Sequence, residues 1–419
     1  MDRVHIEEIY IGKVRHLSDI DIAVSKSGIG FKHIIFTGKN GSGKTSVLDA
    51  IAKHLDETTR GNTPELNRKR IQEAERNLSW QKQRGGPPED IRTSEKNLAY
   101  WQSKLETAEQ GVLLSFNINE NDIQSKFESG ECIFAYFQAH RAFDAVVPTQ
   151  IEKVTFKDRY AITESPRNLF IKYLLDLKMT QALAATNGRS EKAAEIQSWF
   201  DGLRDILREI YEDESLTIEF DEDTYQFLIC EKGRDSFDFN SASDGFSAIL
   251  DIVVGLMLRM ARIEGRGQRF DTPGIALIDE IENHLHLSLQ RRVLPYLSSL
   301  FPNIQFIVST HSPFVLSSVD NAVVYDLETG AFMEDGLSAN TYGSIVEGYF
   351  DVDRLSEELR EKYDRYLELA GKQILNDNEL VEVSELETYL DEIPDYLAWD
   401  VSTEYKKAKL QIRSKAQLQ

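Results

Sequence analysis

The chain has 419 residues, 41% of them hydrophobic, and a formal net charge of -22. That length supports one large core with insertions, because single hydrophobic cores stop growing near roughly 250 to 300 residues. So acidic a chain is excluded from coating nucleic acid through bulk electrostatics, which needs a basic surface that neutralises phosphates and releases their counterions.

Cys132 and Cys230 are the only cysteines, too few for a disulfide framework and without a CxxC pair for structural zinc, so a reducing cytoplasm is the expected setting. The N-terminal stretch MDRVHIEEIYIG carries acids and lacks an apolar run of signal-peptide length. No run approaches the roughly 20 apolar residues of a membrane span, and Ala248 to Met257 reads as a buried helix, so no membrane contact is expected.

In residues 1–60, His5 to Ile11 and Ile20 to Val24 alternate as strands do, and the apolar run His33 to Phe36 ends at a glycine-rich turn. Thr45 to Leu55 follows as a helix, with Val47, Leu48, Ile51 and Leu55 on one face. Arg60 to Gln110 holds 10 Lys/Arg against 8 Asp/Glu, and residues 61–110 predict two polar helical arms around Gly85-Gly86-Pro87-Pro88. Ile71, Ala74 and Leu78 in the first arm match Ile91, Leu98, Trp101, Leu105 and Ala108 in the second, the spacing of an antiparallel, coiled-coil-like hairpin. Such arms either project from the core or fold flat on it.

Residues 111–160 return to the core through strands Gly111 to Asn117 and Glu131 to Phe137. Residues 161–240 predict a helical lobe, Ser165 to Tyr211, followed by short strands at Thr217 to Phe220, Tyr225 to Cys230 and Phe237 to Phe239. In residues 241–335 a helix runs from Gly245 to about Ile263, and apolar strands Gly274 to Ile278 and Ile304 to Ser309 flank a helix from Ser288 to Leu300. Residues 336–419 predict helices with Leu355, Leu359, Tyr366, Leu369, Leu386 and Leu390 on packing faces. Asp351 to Glu404 holds 17 acids against 5 bases, before a basic tail of Lys406, Lys407, Lys409, Arg413 and Lys415. Its acids are spread along helical arms rather than converging after strands, so this region reads as a docking surface for a partner and not as a nuclease. The expected class is α/β.

Gly38-Lys39-Asn40-Gly41-Ser42-Gly43-Lys44-Thr45 fills every fixed position of GxxxxGK[ST] between a predicted strand and a predicted helix. Its glycines let backbone N–H groups turn inward around phosphates at a helix N-terminus whose dipole favours anions, with Ser46 the next residue of the loop. Lys44 is placed to reach the β- and γ-phosphates of ATP and Thr45 to ligate Mg²⁺. Ile275-Ala276-Leu277-Ile278 delivers Asp279 and Glu280 to the end of a strand, where α/β sheets bind ligands; Asp279 suits the metal shell and Glu280 the attacking water.

With these elements in this order, roughly the first 330 residues resemble the ABC-type ATPases of the RecF, SMC and OLD group. The resemblance implies a P-loop ATPase head that hydrolyses ATP. It implies that Gln138, in Tyr136-Phe137-Gln138-Ala139, is the Q-loop glutamine sensing the γ-phosphate through Mg²⁺, and that Ser243-Asp244-Gly245 contacts ATP held by a second subunit. It also implies a phosphate-sensing switch at His311, in Thr310-His311-Ser312-Pro313, and an N-terminal nucleotide-site arginine at Arg15. Asp244 and Phe246 depart from the usual LSGGQ, and Ile281 and Leu287 stand where the family often has proline. Ser243 and Asp244 also suit a plain helix N-cap. His284 and His286, at i and i+2, share no helix face and have no evident third ligand, so they are not read as a zinc pair. His140 and Arg141 read as structural partners of the Q-loop.

The short hairpin and the C-terminus without a nuclease pattern resemble the ATPases of bacterial antiphage systems, such as the Septu ATPase and its retron-associated relatives. That resemblance implies a head-to-head dimer whose ATP state controls a separately encoded effector, an HNH or TOPRIM nuclease, with DNA met through the partner or a local basic patch. The alternatives are a RecF-like repair ATPase that clamps duplex DNA directly and a nucleotide-gated scaffold without a nuclease.

Overall fold

A computed structural model describes the chain apart from residues 1–2, 26–30, 110, 142, 149, 262–269, 335, 338–356, 373–374, 392–404, 411 and 413–419. Ile263, Leu355, Arg413 and Lys415 of the sequence reading lie outside the described residues. The chain divides into two compact units, Met1–Asn340 and Thr341–Gln419.

The first unit opens with the antiparallel pair β1 (Ile6–Val14) and β2 (Leu17–Ala23), then β3 (His33–Thr37) and helix α1 (Lys44–Thr59). Helices α2 (Pro64–Gln83) and α3 (Pro88–Glu109) form the hairpin. Thr63 caps α2 through its hydroxyl, and Pro64 occupies the first turn, where its missing N–H costs nothing. Ile71, Leu78, Ile91, Leu98, Trp101 and Leu105 are half-buried and Ala74 is buried, so these positions form the seam between the arms. The arms pack chiefly on each other, with α3 meeting β4 (Val112–Phe116) at the root.

Helix α4 (Glu120–Ser129), β5 (Ile133–Phe137), α5 (Phe170–Thr186), α6 (Ser190–Tyr211) and a small sheet of β6 (Thr217–Asp221), β7 (Gln226–Cys230) and β8 (Phe237–Asp238) follow. The sequence reading omitted α4, although the Asn119 side chain accepts the Asp122 N–H and Gly130 ends the helix at φ 77, a stop that glycine adopts without strain. Then come α7 (Asp244–Met260), β9 (Gly274–Ile278), α8 (Leu287–Gln290), α9 (Val293–Leu300), β10 (Ile304–Ser309), α10 (Pro313–Leu316), β11 (Ala322–Asp326) and β12 (Phe332–Met333). The helix expected over Ser288 to Leu300 is two pieces. Pro295 can neither donate to the carbonyl four residues back nor clear it, so the helix restarts at Val293.

The main sheet has the order β12-β11-β3-β10-β9-β5, with β11, β3, β10, β9 and β5 parallel. Each of these five strands is buried at every residue, as expected of a parallel sheet covered on both faces. Helix α1 packs against β1, β4, β9 and β10, while α7 packs on β5. Strand β3 also buries His33, whose Nδ1 accepts the Phe306 N–H at 3.1 Å and whose Nε2 meets Ser298 Oγ at 3.1 Å. Burial holds its pKa down at about 4.

In the second unit, helices Glu357–Gly371 and Asp377–Asp391 enclose Tyr366, Leu369, Val383 and Leu390 with Tyr405 and Ala408. Part of its acidity is committed internally. Arg365 donates to both carboxylate oxygens of Glu382 at 2.8 and 2.9 Å, and Tyr366 donates to Glu387 at 2.8 Å.

Candidate nucleotide site

Because β3, β10, β9, β5 and β11 run parallel, their ends lie along one edge of the sheet. There β3 leads into Gly38, β9 into Asp279 and Glu280, β10 into Thr310 and His311, β5 into Gln138, and β11 ends on Asp326. Residues separated by more than 270 positions along the chain thus share the ligand-binding edge of an α/β sheet.

The loop after β3 places Gly38 at φ 129, Gly41 at φ 87 and Gly43 at φ 103. At Gly38 a Cβ would strike Ser42 Oγ at 2.8 Å, whereas Gly41 has open space and is required for its backbone conformation alone. Lys39 and Asn40 are exposed on the loop, and Lys44 is buried with Nζ donating to Gly38 O at 2.8 Å and Lys39 O at 3.2 Å. Burial lowers the Lys44 pKa, and the carboxylates of Glu280, Glu282, Asp279 and Asp326 oppose that shift. Thr45 is exposed and Ser46 half-buried in the first turn of α1. Glu328, beyond β11, accepts the Lys39 N–H at 3.1 Å and pairs with its ammonium at 3.1 Å, a contact the sequence reading did not foresee.

Asp279 is buried, and Ser309 Oγ donates to its Oδ1 at 2.5 Å while accepting the Glu280 N–H at 2.7 Å. Glu280 itself sits at φ 46, a left-handed conformation that is strained for a glutamate and held by surrounding bonds. Arg141, 4% exposed, supplies one of them and ties in the neighbouring backbone: its guanidinium donates to Gln138 O at 3.0 Å, Asp279 O at 2.5 Å and Glu280 O at 2.8 Å. Asn283 reaches Ala139 O at 3.0 Å. The segments after β5 and β9 are therefore tied together by side chains, with the exposed Gln138 beside Asp279.

The His311 N–H donates to Glu282 Oε1 at 2.5 Å, while Nε2 has no partner within the protein. Burial first, then the Lys44 ammonium, hold the imidazole pKa below its ordinary value against Glu282, Glu280 and Asp279, so the ring is neutral at pH 7. Ser42 Oγ is likewise buried and unpartnered. Orphaned polar atoms around left-handed glycines fit a polyphosphate, and the carboxylate of Asp279, with Gln138 alongside it at the sheet edge, fits a hard cation such as Mg²⁺.

Arg15, at φ 54, is exposed at the tip of the β1–β2 hairpin, whose next residues His16 and Leu17 lie against Gly43. Ser243 stands at the N-cap position of α7, yet its hydroxyl makes no cap bond, and both it and Asp244 are exposed. Gly245 is pressed against the chain, a Cβ there meeting His284 O at 2.6 Å. Phe246 stacks on Tyr211 at 4.0 Å, which gives the departure from the usual polar residue a packing role. His286 caps α8 by position and meets Ser288 Oγ through Nδ1 at 3.3 Å.

Ser309, Glu282, Arg141 and Glu328 support the named residues. Ser309 was legible as the hydroxyl ending an apolar strand, and Arg141 was expected as a structural partner of the Q-loop, where it bonds Gln138 O, but Glu282 and Glu328 act through contacts that no local pattern encodes.

Fold and edge together define a P-loop nucleotide-binding head of the ABC type. The chain belongs to the family described as "AAA domain, putative AbiEii toxin, Type IV TA system", whose model matches residues 34–317. It is 30% identical over 217 residues to the Retron Ec83 probable ATPase of Escherichia coli, covering 46% of this chain and 40% of that protein. It is 25% identical over 395 residues to the Septu protein PtuA of Bacillus mycoides (strain KBAB4), covering 91% of this chain and 50% of that protein. The chain spans about half the length of the curated relatives it matches. Among solved structures it is similar to an SMC head bound to the C-winged helix domain of ScpA, at 14% identity and a TM-score of 0.38, covering 80% of this chain and 100% of that chain. Among the described residues no helix is long and apolar enough to cross a membrane.

Proposed function

We propose that the chain binds and hydrolyses ATP, that two copies close head to head with ATP between them, and that this state controls a separately encoded effector nuclease in antiphage defence. The observation that carries the dimer is the division of the site. Lys44, Asp279, Glu280 and His311 converge on the sheet edge, whereas Ser243 and Asp244 are exposed at the start of α7 with the serine hydroxyl uncommitted to its own helix. Free N–H groups and a hydroxyl at the start of a 17-residue helix suit a phosphate brought by another molecule.

In this reading Lys44 and the loop amides of Gly38 to Ser46 bind the triphosphate, with Arg15 at its mouth. Thr45, Gln138 and Asp279 would hold Mg²⁺, which would supply charge neutralisation to the polyphosphate. Glu280 accepts the proton of the attacking water, and neutral His311 offers Nε2 to the γ-phosphate. Arg141 and Ser309 fix the backbone that aims Glu280. The head, Met1–Asn340, would signal to a partner bound at residues 336–419.

The defence role rests on the likeness to the Septu and retron proteins. Light scattering on Glu280→Gln tests the core of the proposal: its mass should double when ATP is added, and a mass that stays monomeric sinks the composite site. Co-purification with the product of the neighbouring gene tests the effector, while hydrolysis stimulated by duplex DNA in the isolated chain would favour direct DNA clamping instead.

A further inference from the structure

A cavity of about 300 Å³ lies at the root of the hairpin, between α1, β1, the start of α2 and the end of α3. Its lining brings together Lys13, Lys53 and Lys104, which come from three different elements and form no ion pair among the described residues. Arg70 donates to the side chain of Asn62, itself a lining residue, at 3.0 Å. Glu57 is the carboxylate of the lining, and Glu120 lies 3.9 Å from His54, so cations outnumber acids.

Two lining side chains are also unsatisfied. Asn67 is 1% exposed and its Oδ1 has no hydrogen-bond partner; His54 is 8% exposed and its Nε2 faces Glu120 Oε1 at 3.9 Å, beyond hydrogen-bond distance. A buried acceptor without a donor costs about 1 to 3 kcal/mol, so such atoms call for a partner. Val14, Val112 and Ala50 supply an apolar wall. Lys53 follows Lys44 by nine residues of α1, roughly 14 Å along the helix axis, so this cation cluster is separate from the phosphate loop.

We propose that this cavity is a second ligand site, for a small phosphate monoester that also carries hydroxyl or amino donors, of about nucleoside-monophosphate size. The three lysines take the phosphate, while Asn67 and His54 meet the polar groups of the organic part. The lining draws on three helices and two strands, with the exposed lysines at its open side, and a volume in the lower range of small-molecule pockets favours a free metabolite over a polymer backbone. Since the lining joins α1 to both arms, occupancy fixes the hairpin's root against the helix that begins at Lys44.

Calorimetric titration with adenosine 5′-monophosphate tests this, using the full chain with Lys44→Ala so that the P-loop contributes little. Binding should persist in that background and weaken at least about tenfold when Lys53→Glu and Lys104→Glu are added, since each charged hydrogen bond is worth more than a factor of ten. The same two reversals in an otherwise unaltered chain should leave ATP binding intact, showing a folded head. If ATP binding is lost, Lys53→Gln with Lys104→Gln replaces the pair under the same criterion. The proposal is overturned if the monophosphate does not bind, if Lys44→Ala alone removes its binding, or if the lysine changes leave its affinity unaltered. It is also overturned if those changes abolish only binding of a duplex oligonucleotide.

Discussion

The five parallel strands of the head are buried along their whole length, whereas the hairpin buries only Pro64, Asn67 and Ala74 among its described residues. In the sheet, each strand is held by neighbours far away in sequence, and its last residue is thereby carried to the shared edge. In the hairpin, two adjacent helices hold each other through a narrow seam, with local contacts such as Ser94 to Gln81 at 2.8 Å and Lys82 to Glu95 at 2.8 Å. The sheet can place chemistry with precision because its registers are mutually constrained.

Three measurements sharpen the contrast, beginning with the largest effect. Lys44→Ala removes the ammonium that the loop encloses, and ATP turnover should fall about 10²- to 10³-fold with the fold intact by circular dichroism. A near-normal rate would separate the sheet edge from the chemistry. The second concerns the buried sheet itself. His33 titrates near 4 in the folded chain against 6.5 when exposed, so the unfolded chain binds the proton first as pH falls. Stability from this group is full above about pH 6.5 and declines toward pH 4, by up to about 3 kcal/mol. Urea midpoints for the natural chain and His33→Gln should converge in that window; parallel curves would show that the imidazole is not the cause. The smallest effect belongs to the hairpin. Leu98→Ala should cost about 1 kcal/mol, seen as faster amide exchange within residues 64–106 and little change in the head. A comparable loss of protection in β9 or β10 would show that the arms are coupled to the sheet.

Much of the head was legible from local pattern. The strands Gly274–Ile278 and Ile304–Ser309 have the bounds that their apolar runs predict, and the glycine turn between β3 and α1 was plain from GxxxxGK[ST]. Helix α4 was missed although its cap signals were present, because its apolar stripe is thin and only Ile123 among its residues is buried. The division at Pro295 was also readable, had the proline been weighed against the apolar spacing.

The amino-acid sequence by itself determined the phosphate loop, the acids at the end of β9 and the seam of the hairpin, because each depends on neighbours within a few residues. It also supplied the order of motifs that relates the chain to ATPase heads. Only the tertiary structure decided that Arg141 grips the carbonyls of Asp279 and Glu280, that Glu282 holds the backbone of His311, and that Lys13, Lys53 and Lys104 share one cavity. Those relations follow from which strands pair and how helices stack on them. Such choices are fixed by burial summed over the whole core, and no single segment carries them.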